Sequence, residues 1–154
     1  DSLVGLKNDL ERNLESSLLA YGVHLLPPRE PGVPEYYTPG WGNRLKLRNT
    51  LHHQGVIYSR DLIKEQQFNL KYNILADYHL HLVLWMDGVK CQCSRTIIAE
   101  VDSGGVSRQF TAELYREERA LKREAIGGLA SYLFQGVATR LKYLGKIVYR
   151  VVSK

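Results

Sequence analysis

The chain has 154 residues, 44% hydrophobic and 24% charged, a length and balance that fit one globular domain and exclude a disordered chain. No apolar run approaches the roughly 18 residues that a membrane-spanning helix needs. The net charge of +5 falls wholly in residues 125–154, which carry Arg140, Lys142, Lys146, Arg150 and Lys154 and no acidic residue, so an anionic partner would meet the C-terminal end.

Asp1 to Lys7 lack a basic segment followed by an apolar one, so no signal peptide is expected to remain, and a start on Asp rather than Met reads as a processed, trimmed or renumbered chain. Leu3, Leu6, Leu10, Leu14 and Leu18 recur at three- and four-residue steps, which predicts a helix over about 2–20 with Gly22 as its left-handed cap. A short strand, Val23–Leu26, follows. All five prolines (Pro27, Pro28, Pro31, Pro34 and Pro39) come next, in a long loop or arm over 27–42. Tyr36, Tyr37 and Trp41 lie in that arm, where aromatic side chains either contact a partner or pack back on the domain.

From Gln67 to Met86 the even positions are apolar (Phe68, Leu70, Tyr72, Ile74, Tyr78, Leu80, Leu82, Leu84) and many odd ones polar. Period two predicts one very long strand over about 67–86, bent or bulged. Asp87-Gly88 then reads as a hairpin turn, after which the apolar set moves to odd numbers (Val89, Cys91, Cys93, Ile97, Ala99, Val101). A second turn at 102–105 returns it to even numbers (Val106, Phe110, Ala112, Leu114), completing a three-stranded antiparallel meander. Residues 116–144 go back to helical spacing, with Gly127-Gly128 and Gly136 marking a break or a close approach to the sheet. Gly145 ends this amphipathic helix, and Ile147–Val152 forms a short last strand. The expected fold is α+β, in one domain over 1–154.

The meander puts Cys91 and Cys93 on the apolar face as buried thiols and His79 and His81 across the sheet from them. Four ligands split in this way cannot share a zinc ion, so no metal or other cofactor is expected. Two cysteines make no disulfide framework. His52 and His53 are adjacent on an extended chain and point opposite ways. No phosphate-binding glycine loop or nucleophile elbow occurs. His79-Leu80-His81 is similar to the His-hydrophobe-His motif of the HUH endonucleases. That resemblance implies a strand holding a divalent metal on both imidazoles, with Tyr132, or alternatively Tyr115, attacking a DNA phosphate.

The order of leucine helix, short strand, long-stranded meander and amphipathic helix, over residues 3–26 and 66–141, resembles the small envelope lipoproteins that assist lipopolysaccharide assembly or lipid-transport complexes. The resemblance implies a non-catalytic accessory or assembly subunit of a larger complex; small α+β domains of virion assemblies fall under the same heading. Its expected contacts are Tyr36, Tyr37 and Trp41 in the arm and Arg140, Lys142, Lys146 and Arg150 at the basic end. These meet a protein partner, with an anionic lipid or nucleic acid as the other anions that end could take. A basic nucleic-acid-binding module and the HUH-type nuclease are the alternatives. The preference for a scaffold over a catalyst rests on the ribbon at 67–86 being a strand.

Overall fold

A computed structural model describes residues 7, 17–28, 33–102, 105 and 110–152. Apart from Lys7, the leucine segment 2–16 lies outside them, as do 29–32 of the arm and 106–109 of the expected third strand. The fold is α+β, with a four-stranded sheet beside a set of helices.

The central strand is β1, Leu18–Leu26, whose sequence LLAYGVHLL is an almost unbroken apolar run. Such runs suit a strand covered on both faces, and every residue from Leu18 to Val23 is buried. β1 therefore begins five residues earlier than the leucine spacing predicts. Gly22 is a strand residue rather than a helix cap. A Cβ there would lie 2.6 Å from Ile97 Cδ1 and 3.1 Å from the Arg95 carbonyl oxygen, where the register between neighbouring strands shifts.

β4, Gln92–Asp102, runs parallel to β1 along one edge. The opposite edge is shared by two short antiparallel strands, β2 (Tyr36–Tyr37) against Val23 and His24, and β3 (Val56–Tyr58) against Leu18 to Ala20. The sheet is thus mixed, and no meander forms. α1, Arg60–Glu65, follows β3 with Ser59 Oγ accepting from the Leu62 amide at its start.

The predicted long strand is replaced by turns over 67–75 and a helix, α2, Ala76–Met86. Six of its residues, Tyr78 to Leu82 and Leu84, are buried. A helix enclosed on nearly all sides loses the polar face that marks a 3.6-residue period. Its two buried histidines then mimic the polar positions of a strand. Asp87-Gly88 is a turn, but it caps the helix: Gly88 (φ 79°) donates to the Trp85 carbonyl and Val89 to that of Leu84, a Schellman pair.

Helix α3, Ala112–Ile126, starts at Thr111, whose Oγ1 accepts from the Leu114 amide, so Ala112 and Leu114 belong to a helix rather than a third strand. Gly127 and Gly128, at φ 64° and 78°, break the chain between α3 and α4, Leu129–Val152. The second helix continues through Gly145, so the expected last strand at 147–152 is helical. The hydrophobic residues of that segment keep a helical period, and Gly145 does not interrupt it.

Two apolar clusters form the core. Leu45, Tyr72, Tyr78, Leu82 and Leu121 make one, and Leu18, Leu62, Leu80 and Leu84 the other. Trp41 packs against both.

Candidate functional site

Helix α4 is built inside out. At about 100° per residue, Leu133, Phe134, Val137, Leu141, Leu144 and Val148 fall within an arc of roughly 100°, the usual width of a core-facing stripe. Every one of them is more than half exposed. The opposite arc holds Gln135, Thr139 and Lys142, and these polar residues are turned toward the protein. Gln135 and Thr139 are 5% and 0% exposed, and Gln135 Oε1 and Thr139 Oγ1 find no hydrogen-bond partner among the described residues.

What holds α4 in this orientation is a buried ion cluster with α3. Glu118 Oε1 lies 2.6 Å from Lys122 Nζ and 2.7 Å from Lys142 Nζ, and both ammonium groups also donate to the Leu47 carbonyl. Burial pushes Lys122 down to about 8, against the pull of Glu118. Tyr143 packs on Tyr115 at 5.3 Å, and Lys146 sits 4.4 Å over the Phe110 ring. Arg119, Arg123 and Arg140 line a groove with Leu133 and Val137, so arginines border the apolar stripe on one side.

The expected contact residues therefore divide. Arg140 is exposed beside the stripe, whereas Lys142 and Lys146 are engaged inward. The side chain of Arg150 lies outside the described residues, as does that of Tyr132. In the arm, Trp41 Nε1 donates to the Val89 carbonyl and Tyr37 Oη to that of Asn49, so both rings are turned onto the domain itself. Tyr36 remains 54% exposed and stacks on His24.

His79 and His81 do not share a strand face; they are two apart on α2 and diverge by about 200°. His79 lies 4.8 Å from the Tyr72 ring and 3.4 Å from Glu124 Oε1. His81, fully buried, heads a chain of polar groups: Nε2 is 2.6 Å from Tyr58 Oη and Nδ1 3.2 Å from Asn49 Oδ1, while Asn49 Nδ2 donates to Asp77 Oδ2 at 3.1 Å. Burial pushes the Tyr58 hydroxyl well above its ordinary range, so it keeps its proton and donates to His81 Nε2. The His81 proton then sits on Nδ1 and is given to Asn49. Burial, then the neighbouring His53, holds His81 down at about 3. Burial likewise raises Asp77, partly offset by the Tyr78 amide, His53 and Asn49. With both ring nitrogens engaged, His81 has none to offer a metal, and the arrangement an HUH motif demands is absent.

This polar chain borders a cleft of about 1410 Å³ whose other walls include His53, Glu118 and Lys142. His52 and His53 stack at 5.0 Å rather than diverging, because they enter a 3-10 turn over 53–55 instead of a strand.

The thiols also depart from expectation: Cys91 is only half buried and Cys93 is exposed. They do share a face, with Sγ atoms 4.0 Å apart. Family models, curated proteins and solved structures contain no match to this chain. The reading rests on its own geometry.

Proposed function

We propose that the protein is a non-catalytic accessory or assembly subunit, which docks on a larger protein partner through the outward face of α4. The observation that carries this reading is the inverted helix, with six large apolar side chains outside and a polar arc inside. Each such side chain gains roughly 1.5–3 kcal/mol on full burial. A contiguous apolar face bordered by charged groups is the kind of surface that partners cover. The arginines beside it favour a partner with an acidic rim. The resemblance to small envelope lipoproteins implied a role of this kind, but the meander on which it was drawn does not form, so the outward stripe of α4 is what supports the reading. The saturated hydrogen bonding of His81 supports a structural rather than a chemical role for the most unusual polar group in the core.

The test uses the tagged full chain and a Val137→Asp/Leu141→Asp variant, both applied to an extract of the native source. Because these positions are 59% and 62% exposed, the double variant should unfold within about 1 kcal/mol of the parent, about 0.5 kcal/mol for each substitution. A stoichiometric partner that is held by the parent and lost by the variant is the expected result. Retention of the same partners by the variant would refute the docking surface. Binding to nucleic acid that collapses with added salt would favour the basic-module alternative instead.

A further inference from the structure

We propose that Cys91 and Cys93 form a two-thiolate site for a soft monovalent cation, Cu(I). This inference is independent of the docking face. Residues two apart on an extended chain point the same way, and Cys91 stands immediately before β4 with Cys93 within it. Their sulfurs are 4.0 Å apart and neither is in a disulfide. Two metal–thiolate bonds of roughly 2.3 Å, the length found for zinc, span that gap at an S–metal–S angle of about 120°. No movement of the backbone is required. A disulfide, at about 2.05 Å, would instead need the sulfurs to close by half the distance.

The donor set selects the ion. Structural zinc takes four ligands, and among the described residues no group of three or more His, Cys, Asp or Glu could hold a metal. Two sulfurs without nitrogen or carboxylate suit a soft cation. An angle near 120° leaves a third position in the same plane, where an external thiol could deliver or remove the ion. Cys91 packs against the Leu18, Leu62, Leu80 and Leu84 cluster, which fixes one ligand, and exposed Cys93 provides the entrance.

Capture of Cu(I) by both sulfurs releases the thiol protons to solvent.

The reduced full chain is titrated anaerobically with Cu(I) held by the colorimetric chelator bicinchoninate. One Cu(I) should pass to each chain, and Cys93→Ser should abolish the transfer while circular dichroism stays unchanged. Cys91→Ser should do the same. No transfer, equal transfer to Cys93→Ser, or tighter capture of Zn(II) than of Cu(I) would overturn the site.

Discussion

Acid should unfold this protein through His81. The imidazole is fully buried and held at about 3, against roughly 6.5 in an unfolded chain. A group whose folded value is depressed binds more protons when unfolded, so stability is complete above the unfolded value and is lost as pH falls toward the folded one. The window is therefore pH 6.5 down to about 3. Going from pH 7 to 4.5 crosses two units below the unfolded value, and at 1.36 kcal/mol per unit this removes about 2.5 kcal/mol. That is a large share of the 5–15 kcal/mol typical of a domain. Urea unfolding followed by the fluorescence of Trp41 and Trp85 at half-unit pH steps would measure it. His79, also lowered by burial, contributes in the same direction. The His81→Gln variant isolates the His81 share: weaker at pH 7 through imperfect packing, it should lose about 2.5 kcal/mol less between pH 7 and 4.5. A pH slope identical in the two proteins, or a His81 resonance titrating near 6.5, would refute the buried neutral imidazole.

Glu118 holds two ammonium groups, one of them fully buried. Glu118→Leu should cost about 3–5 kcal/mol in thermal or urea unfolding, because Lys122 is left without its counter-charge. Gly22→Ala should cost about 1–3 kcal/mol through the contact with Ile97 Cδ1. Ile97→Val in the same chain should restore part of that loss, since the Arg95 and Thr96 carbonyl oxygens remain close, at 3.1 and 3.3 Å.

The fold class, the C-terminal helix and the break at Gly127-Gly128 were legible because local signals and tertiary structure agree there. Residues 67–86 misled for a physical reason. Alternation reports one covered and one open face, and α2 has almost no open face, so its histidines stood in for solvent-facing positions. Gly88 marked a reversal correctly, yet a left-handed glycine serves a helix end as readily as a hairpin. With residues 76–86 helical, no long strand supports a scaffold role, and the outward stripe of α4 supports it instead. The α4 stripe was visible as a period, but its direction was not, because amphipathicity alone does not say which side meets the body of the protein. The partners of His81 could have been sought from the rule that a buried polar group needs hydrogen bonds. Asn49 and Tyr58, 32 and 23 residues away, carry no local mark of that role.

The order in which the strands emerge has a consequence for synthesis. β1 leaves the ribosome before the other strands, and β2 and β3 soon line one of its edges, but β4 is made some 70 residues later. Until then a nearly unbroken apolar strand carries an unpaired row of amides and carbonyls, which is the form of chain most prone to pair with a stranger. Slow translation through residues 60–90 should therefore lower the yield of folded protein, and a peptide corresponding to Gln92–Asp102 added during synthesis should raise it.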